Sequence, residues 1–486
     1  MPLLKDTLNA TLWSVLAEII AKIISPAVFL ILTHILSPSD FGVVSVATTI
    51  LGLIYVVSDM GTSKVLIQAE DDEGNIQKLY NAAFYLNIFV GIILFLVVFL
   101  FSKELASFYS QPQSDSVIKV MSVQILLYSL CSVQNAIRKR NLDFRFLFYI
   151  RLITICSPLL IALPIAFSGG GYWAIVLSTI AGSLLNTVVL WVKSKWKPIL
   201  YINWHMIYRV IGKSIWNTIE QICVWIPVCF DTFLISKFLS VNDLGLYTTS
   251  KTLFNTAIGL LFTPILPVLF SAFSRYQNSG KLLREALLFS QKVVFLLGAS
   301  LGLFVYIFNS YISDCFFSNT WSEISSILGI MFLIMGLESF YSAFIEGVRS
   351  KGYFKEIAVN TSVSILVAIP FLLLSVKYGL FYYVVVRSLA LYIHYPGIFY
   401  LLDKKIGISF KQSVYNVRFI LISIIIMLLL NYCLEGLGVE SRFGLFLLKL
   451  FSTVSVLLIF LFVERKFLKQ ILSLVMKLSL IHISEP

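Results

Sequence analysis

Charged residues are scarce in this chain, where they make up 13% of the 486 residues. Soluble domains carry about 25% charged residues, roughly twice this supply. Hydrophobic residues make up 58% of the sequence, and the mean hydropathy is +0.90. A single water-soluble core could not use so much apolar sequence. The composition therefore excludes a soluble globular protein and favours a chain solvated by lipid.

Residues that build metal centres and hydrolytic sites are also few. The chain has four histidines and six cysteines, without a CxxC pair or a Cys/His spacing typical of a metal site. No glycine-rich phosphate loop follows a predicted strand, and no Ser/His/Asp arrangement can be proposed. We therefore expect no metal, no cofactor and no catalytic residue.

Long hydrophilic segments are missing too. The longest non-apolar stretches, at residues 61–78, 103–115, 193–213 and 310–323, are too short to fold as domains. This argues against a membrane enzyme with a large external catalytic loop. Residues 1–9 lead directly into a full-length apolar run, so we expect no cleavable signal peptide.

Long apolar runs dominate the sequence instead. About 14 of them reach the roughly 20 residues that a membrane-spanning helix needs, whereas barrel strands are about half as long. The runs cover residues 11–35, 41–59, 79–102, 116–136, 147–167, 172–193, 214–236, 244–270, 286–309, 324–347, 356–376, 379–402, 416–434 and 444–463. We predict an all-α polytopic membrane protein of about 14 transmembrane helices in two pseudo-symmetric lobes.

The net charge of +12 is unevenly placed along the chain. Lysine and arginine gather in the loops after even-numbered runs, such as residues 138–145 and 193–213. The opposite loops hold little beyond Lys103, Lys237, Lys377 and Arg442. The positive-inside rule then predicts that both termini are cytoplasmic. Because this topology accounts for the charge, we do not expect nucleic-acid binding.

A short motif occurs twice. Residues 36–42 (Leu-Ser-Pro-Ser-Asp-Phe-Gly) recur 203 positions later as residues 239–245 (Leu-Ser-Val-Asn-Asp-Leu-Gly), with Leu, Ser, Asp and Gly at the same places. The aspartate can accept backbone N–H bonds as the N-cap of the second helix, and the glycine lets two helices approach closely. The repeat predicts two halves that each open with the same helical hairpin.

From this repeat we predict the domain boundaries. Residues 1–193 would form an N-terminal lobe of spans 1–6, residues 194–213 a cytoplasmic linker, and residues 214–402 a C-terminal lobe of spans 7–12. Residues 403–477 would add spans 13–14 and a basic tail. Residues 478–486 look like a translated sequencing adapter, and our hypothesis is that they are an assembly artefact and that the native C-terminus differs.

Ionisable residues inside the apolar runs are the best functional signal, because such groups usually face a bundle interior or a water-filled cavity. The candidate cavity cations are Lys22, Arg151 and Lys251; the candidate coupling or cavity acids are Glu18, Asp59, Glu220 and Asp231; the polar residues that would line the cavity are Ser25, Asn217 and Asn255. A structural interpretation stays open for some of them. Glu18 and Lys22 could simply neutralise each other at i,i+4, and Asp59 and Arg151 could snorkel from the ends of their runs.

Prolines interrupt several runs. Pro26 is predicted to break span one and Pro227 to break span seven, at nearly equivalent places in the two halves, so we consider both as hinges. Pro264 and Pro267 are predicted to kink span eight. Broken helices at corresponding places in two repeats are typical of alternating-access carriers.

The chain resembles the polysaccharide transporters of the multidrug/oligosaccharidyl-lipid/polysaccharide exporter superfamily. The resemblance extends over nearly the whole chain to about Lys477, and one departure is Ser271, where the family more often has proline. The matching segments are residues 36–42, 61–68 and 138–145, Asp231 with residues 239–247, and residues 267–275.

This resemblance implies a flippase, not an enzyme. Such a protein would move polyprenyl-diphosphate-linked oligosaccharide repeat units from the cytoplasmic to the outer leaflet of the bacterial inner membrane by alternating access. Its products would be O-antigen, capsule or exopolysaccharide. The cavity cations would attract the diphosphate, and the acids would tune the cavity or carry a coupling proton or sodium ion. Membrane lipid and other polysaccharide-assembly membrane proteins would be its partners.

Three alternatives stay open. A multidrug cation antiporter of the same superfamily would share the fold but would need an acid-dominated cavity, whereas this sequence mixes cations and acids. Sequence alone distinguishes poorly between an oligosaccharide flippase and a peptidoglycan lipid-precursor flippase. A membrane-embedded polysaccharide polymerase or ligase would ordinarily carry a sizeable external loop, and the short loops here oppose it.

Overall fold

We describe the protein from a computed structural model. The described residues are 2–68, 73–199, 204–437 and 441–465, together with 439, 467 and 469. All regular elements among them are helical, which confirms the all-α prediction for this part of the chain. Residues 478–486, for which we suggested an artefact, and the side chains of Asn217 and Glu220 lie outside the described residues.

Among its described residues, the first half contains nine α-helices and one π-helical turn, Pro158–Ala162, which joins α7 to α8. The helices are α1 (Pro2–Ile35), α2 (Pro38–Asp59), α3 (Thr62–Gln68), α4 (Glu73–Leu100), α5 (Ser102–Phe108), α6 (Ser114–Arg140), α7 (Phe144–Ser157), α8 (Leu163–Phe167) and α9 (Trp173–Lys193).

The rest of the chain continues with thirteen α-helices among the described residues. They are α10 (Trp204–Phe238), α11 (Val241–Phe262), α12 (Ile265–Arg275), α13 (Gly280–Ile307), α14 (Asn309–Phe316), α15 (Ile324–Leu337), α16 (Ser342–Ser350), α17 (Phe354–Ser375), α18 (Leu380–Leu389), α19 (Tyr395–Ile406), α20 (Phe410–Asn416), α21 (Arg418–Gly436) and α22 (Arg442–Val463). Short 3₁₀ turns lie between some of them, at Asn319–Trp321, Glu338–Phe340, Val376–Tyr378 and Ala390–His394.

The predicted membrane spans are confirmed. In the described part of the chain, 13 helical segments are long and apolar enough to cross a membrane. The pair α11 and α12, bent by 43° at its break, makes a fourteenth. This break falls at Thr263 and Pro264, where Pro264 and Pro267 together remove two backbone hydrogen-bond donors within four residues, which agrees with the kink predicted for this span. The cytoplasmic placement of the termini stays a prediction.

The two other prolines do not break their helices. Pro26 lies inside α1 and Pro227 inside α10, and both helices continue through them, so the predicted breaks are wrong. A proline removes one hydrogen bond from the ladder, and a long membrane helix keeps the remaining bonds on both sides of it. Whether either proline acts as a hinge stays a prediction.

The chain divides into two compact units. The first unit comprises Met1–Thr256, Ser313–Ile327 and Leu373–Tyr383. The second unit comprises Ala257–Ile312, Leu328–Leu372 and Val384–Pro486. Both copies of the repeated motif therefore lie in the first unit. The lobe boundaries proposed from the sequence stay a prediction.

The second unit has an aromatic core with ion pairs beside it. Phe295 and Phe344 are almost fully buried within it. Lys292 donates to Glu464 at 2.7 Å, with 13% and 10% of the two side chains exposed, and ties α13 to the end of α22. Because both charges are largely buried and paired, they fasten the last membrane helix to this core.

The two copies of the repeated motif form the same helix cap. In the first copy, the N–H and hydroxyl of Ser37 donate to Asp40 Oδ2 at 2.9 and 2.7 Å, and Asp40 N–H donates back to the serine oxygen. In the second copy, Ser240 and Asp243 repeat this pattern at 3.0 and 2.6 Å. This reciprocal arrangement is a capping box, and it satisfies the first N–H groups of α2 and α11. The aspartate accepts a backbone N–H as expected, but the N-cap residue of α2 is Ser37 and Asp40 stands three positions later, so the predicted placement of the aspartate as the N-cap is wrong.

The glycines of the motif bring these two caps together. A Cβ atom at Gly42 would lie 2.0 Å from the carbonyl oxygen of Val241, and one at Gly245 would lie 1.7 Å from that of Pro38. Each copy therefore packs its glycine against the backbone of the other copy. The close approach expected from the sequence is confirmed, and the two elements that meet are the N-termini of α2 and α11.

Candidate functional site

Four side chains of the first unit form a buried charged cluster. Asp231 lies on α10, Tyr247 and Lys251 lie on α11, and Tyr383 lies on α18. The helices α10 and α11 form the hairpin that holds the second capping box, so their side chains meet across a tight turn. Asp231 and Tyr383 are 1% and 0% exposed, and Tyr247 is 3% exposed.

Both oxygens of the Asp231 carboxylate accept hydrogen bonds. Its Oδ2 accepts from the Tyr247 hydroxyl at 2.7 Å and from Lys251 Nζ at 2.8 Å. Its Oδ1 accepts from the Tyr383 hydroxyl at 2.7 Å. Lys251 Nζ also donates to the Tyr247 oxygen at 3.3 Å. The lysine therefore contacts two members of the cluster, and each tyrosine contacts the acid.

The contacts within the cluster stabilise two charged side chains inside a pair of membrane helices. A buried carboxylate is tolerated only when it is paired and hydrogen-bonded. Asp231 meets both conditions, while the side chain of Lys251 stays 24% exposed. The arrangement thus holds an ammonium group in a fixed place on a side chain that is partly exposed. Such a group can donate charge-assisted hydrogen bonds to an anionic oxygen.

The neighbouring residues of α10 fix the cluster against α2. The Thr232 hydroxyl donates to Val228 O at 3.0 Å and lies 3.1 Å from the hydroxyl of Thr49. About two turns towards the N-terminus, the Trp225 ring covers Gly52 so closely that a Cβ atom there would lie 2.3 Å from it. The position of Asp231 is therefore set by helix packing on both sides of it.

Asp59 belongs to a separate polar network of the same unit. Its Oδ1 accepts from Ser63 at 2.6 Å and from Ser132 at 2.7 Å. Asn87 donates to Ser132 at 3.1 Å and to Thr62 at 2.9 Å. The network joins α2, α3, α4 and α6 near the end of α2, and none of these residues belongs to the Asp231 cluster. Asp59 thus ties α3 and α6 to the end of α2, and its role as a coupling or cavity acid stays a prediction.

Among the described side chains, the other predicted site residues do not lie in the cluster. Glu18, Lys22 and Ser25 lie on α1 and Arg151 on α7, and these two helices pack together. Glu18, Ser25 and Arg151 are exposed, and Lys22 is half-buried. Asn255 is exposed on α11, one turn beyond Lys251. Their roles as cavity-lining residues stay predictions.

Two members of the cluster were missed by the sequence analysis. Tyr247 lies four residues before Lys251 and thus shares its helix face, so a search for polar partners at i−4 would have found it. Tyr383 lies 152 residues from Asp231 in sequence. No local pattern connects such distant positions, and only the fold brings them together.

The chain matches a known protein family. Residues 31–326 match the model of the family described as "Polysaccharide biosynthesis protein". The match covers more than half of the chain and includes both copies of the repeated motif and the members of the charged cluster up to Lys251.

Individual relatives agree with this match. The chain is 22% identical over 340 residues to the succinoglycan biosynthesis transport protein ExoT of Rhizobium meliloti, covering 70% of this chain and 68% of the relative. It is 23% identical over 351 residues to the lipopolysaccharide biosynthesis protein WzxC of Escherichia coli, covering 70% and 69%. A similar relation, at 21% identity, links it to the teichuronic acid biosynthesis protein TuaB of Bacillus subtilis, covering 68% of each chain.

Solved structures show the same fold. The lipid II flippase MurJ, in an inward closed conformation, superposes with a TM-score of 0.74 at 16% identity, covering 94% of this chain and all of that one. An inward-facing multidrug resistance MATE family transporter of the MOP superfamily has a TM-score of 0.65 at 13% identity, covering 79% and 94%. The fold, its membrane spans and the family match agree with one another. This multi-pass membrane protein belongs to the polysaccharide biosynthesis protein family.

Proposed function

We propose that the protein is a flippase for lipid-linked oligosaccharides. It moves polyprenyl-diphosphate-linked repeat units from the cytoplasmic to the outer leaflet of the inner membrane, for the synthesis of a surface polysaccharide. Family membership supports this proposal, since the relatives include a polysaccharide transport protein. The likeness to a lipid II flippase supports the fold that such a movement needs.

The observation that carries the proposal is the ammonium group of Lys251 beside Asp231. A sugar diphosphate is bulky, hydrated and anionic, so its passage needs a cation inside the protein at the depth of the membrane spans. Lys251 lies inside a membrane helix and is oriented by a buried acid at 2.8 Å, with 24% of its side chain exposed. It is therefore positioned to bind a diphosphate oxygen and to release it again, because its charge is already partly balanced.

The remaining predicted residues take supporting roles in this proposal. Lys22 and Arg151 attract the diphosphate, while Glu18 and Glu220 tune the cavity or carry a coupling proton or sodium ion. Pro26 and Pro227 act as hinges while the protein alternates between two access states. The lipid tail stays in the bilayer throughout, so that only the headgroup needs a polar route.

The test uses a bacterial host that lacks its own flippase and makes a matching lipid-linked oligosaccharide. Expression of this chain is expected to relieve the accumulation of the oligosaccharide on the cytoplasmic leaflet, measured with a membrane-impermeant probe of each leaflet. Lys251→Gln together with Asp231→Asn removes both charges and keeps a polar side chain at each position. The protein is therefore expected to accumulate normally and transport to fall at least about tenfold, the loss expected for one charge-assisted hydrogen bond.

A matched control is Lys237→Gln, which neutralises an exposed lysine on α10 outside the cluster. It should transport like the original chain. Wild-type transport by the double variant would reject the binding role of Lys251, and a complete lack of transport by the original chain in its own native host would reject the flippase itself.

A further inference from the structure

Two tyrosines and an aspartate of the first unit, which we call the α2–α6 patch, lie together on two neighbouring helices. Tyr55 and Asp59 are one turn apart on α2 and therefore share a face of that helix. Tyr128 and Ser132 are related in the same way on α6. The rings of Tyr55 and Tyr128 pack with their centroids 4.9 Å apart at an angle of 30°, and the Ser132 hydroxyl donates to Asp59 Oδ1 at 2.7 Å. A pair of aromatic rings thus lies one helical turn from a carboxylate.

Tyr128 is exposed at a depth where lipid does not suit its hydroxyl. The residue is 38% exposed and lies about three turns before the end of α6. The Tyr55 hydroxyl donates to Gln124 Oε1 at 3.2 Å, whereas the Tyr128 hydroxyl makes no hydrogen bond among the described residues. Hydrocarbon offers no partner to such a group, so its exposure to lipid would be costly. We therefore expect this side of α6 to face water or a polar ligand.

One oxygen of the Asp59 carboxylate can accept a bond from a ligand. Its Oδ1 accepts from two serine hydroxyls, which fix the orientation of the group. No described group donates to its Oδ2, and neither Lys64 nor Arg138 forms an ion pair with it in the described part of the chain. Arg138 donates instead to Asp143 at 2.6 Å. Because an ionised carboxylate only accepts hydrogen bonds, Oδ2 requires a donor.

An aromatic face beside a hydrogen-bond acceptor is suited to a sugar ring. The flat face of a pyranose carries C–H groups, which match the electron-rich face of an aromatic ring. The hydroxyl or acetamido N–H groups at its edge are donors, which match a carboxylate oxygen. The platform is also held in place, because Tyr55 packs on Tyr128 and is itself bonded to Gln124, which is 7% exposed. A phosphate lacks the apolar face and a lipid tail lacks the donors, so the patch favours a sugar over both.

The patch lies at a different level along α2 from the charged cluster. The Thr49 hydroxyl is 3.1 Å from that of Thr232, the neighbour of Asp231, so this contact marks the level of the cluster on α2. At about 1.5 Å per residue, Tyr55 and Asp59 lie about 9 and 15 Å further along the helix. This separation exceeds the length of a diphosphate. A diphosphate bound at the cluster therefore leaves the patch to the sugars attached to it.

We propose that the α2–α6 patch is a sugar subsite that selects an uncharged hexose or N-acetylhexosamine of the lipid-linked oligosaccharide. The sugar ring lies against Tyr128 and donates a hydrogen bond to Asp59 Oδ2. This inference rests on the proposed function, because that function brings a sugar between the membrane helices. A uronic acid in the same place would put a second carboxylate within the width of one sugar ring from Asp59, and like charges at that range repel. The subsite thus discriminates between repeat units by the charge of one sugar.

The experiment measures binding of two matched substrate analogues to the purified full chain in detergent. Both are farnesyl-diphosphate-linked disaccharides, and the distal sugar is glucose in one probe and glucuronic acid in the other. A ligand that binds the folded chain raises its melting temperature, and the concentration dependence of the rise gives the affinity. We expect the glucose probe to bind at least about tenfold more tightly, since repulsion between two nearby carboxylates exceeds the energy of one such factor.

The decisive variant is expected to gain binding, which a damaged fold cannot produce. Asp59→Asn keeps an oxygen for the two serine hydroxyls and replaces Oδ2 with an N–H donor. Its affinity for the glucuronic acid probe should rise about tenfold, as expected when a donor replaces an acceptor beside a charged group. Tyr128→Leu should weaken both probes about two- to tenfold through loss of the aromatic face. The control is Tyr432→Leu, which removes an exposed tyrosine of α21 outside the patch and should bind both probes like the original chain.

A third probe, farnesyl diphosphate without sugar, distinguishes the subsite from the charged cluster. Asp59→Asn and Tyr128→Leu should bind it like the original chain. Equal affinity of the original chain for the two sugar probes, or an unchanged preference in Asp59→Asn, would overturn the subsite even where transport is confirmed. The leaflet assay tests transport separately. A chain that prefers the glucose probe but moves no oligosaccharide in its native host would retain the sugar subsite and overturn the flippase proposal.

Discussion

The two copies of the repeated hairpin can be compared position by position. Asp231 and Lys251 of the second copy correspond, with the shift of 203, to Val28 and Thr48 of the first. Val28 is buried at 4% exposure, and Thr48 is exposed. The second copy thus holds an ion pair where the first holds an apolar and a neutral polar residue.

The capping boxes, in contrast, are preserved in both copies. Each copy needs its Ser and Asp because the first N–H groups of a helix must find acceptors wherever the chain turns. Nothing in the turn requires a charge pair in the middle of the membrane span, where charges are costly. The comparison therefore distinguishes the Ser and Asp residues that cap the helices of both hairpins from Asp231 and Lys251, which belong to the charged cluster.

The largest expected effect comes from making the second copy resemble the first. Asp231→Val leaves Lys251 without its buried partner, and breaking a buried pair from one side costs about 3–5 kcal/mol of unfolding free energy. Adding Lys251→Thr should restore most of that stability, since neither charge then stays unpaired. Thermal unfolding in detergent measures both variants. A double variant as unstable as the single one would contradict this account of the pair.

The second effect acts on the contact between the copies. Gly245→Ala places a Cβ atom 1.7 Å from the Pro38 carbonyl oxygen, so the backbones of α2 and α11 have to separate. Overpacking of this kind costs about 1–3 kcal/mol, and we expect a value at the upper end because the opposing atom belongs to the backbone. The control is Gly436→Ala, where the added atom meets nothing within 4 Å. Equal melting temperatures for the two variants would exclude the proposed close approach.

The third effect concerns the hydroxyl groups around Asp231. Tyr383→Phe removes the hydroxyl that donates to Oδ1 at 2.7 Å and keeps the ring in place. A hydrogen bond to a charged group contributes about 1.5–3 kcal/mol, so stability should fall by that amount. Tyr247→Phe should be milder, because Oδ2 retains Lys251 as a donor. The ranking of the two melting temperatures checks this prediction, and the reverse order would contradict it.

The smallest expected loss of stability comes from removing the aspartate of either capping box, and the loss should differ between the two copies. Asp40 also accepts the backbone N–H of Tyr172 through Oδ1 at 2.9 Å, a bond that ties the first copy to the turn before α9. Loss of a cap costs about 0.5–2 kcal/mol. Asp40→Ala should therefore lie near the upper end of this range and Asp243→Ala near the lower end, as measured by thermal unfolding. Equal losses would mean that the bond to Tyr172 contributes nothing.

Much of the fold could be predicted from the sequence because its determinants are local. The length of an apolar run sets a membrane span, Pro264 sets the break between α11 and α12, and a Ser/Asp pair sets a helix cap. The expected breaks at Pro26 and Pro227 were wrong, because a single missing hydrogen bond does not end a helix that is apolar on both sides.

The site was only half predictable. Asp231 and Lys251 stand out as charges in apolar runs, so the sequence could name them, but it could not show that they pair with each other. The burial of Tyr383 against the acid depends on a segment that returns to the first unit from far along the chain.

The separations between partners along the chain have a consequence for biogenesis. Lys251 follows Asp231 by 20 residues, so both enter the membrane in one hairpin and can neutralise each other during insertion. The glycine contact has a different timing, because Gly245 is synthesised 203 residues after Gly42. Because translation adds about 5–20 residues per second, the second hairpin is synthesised roughly 10–40 s after the first. A ribosome stalled in this interval would expose an unmatched helix cap to the insertion and quality-control machinery.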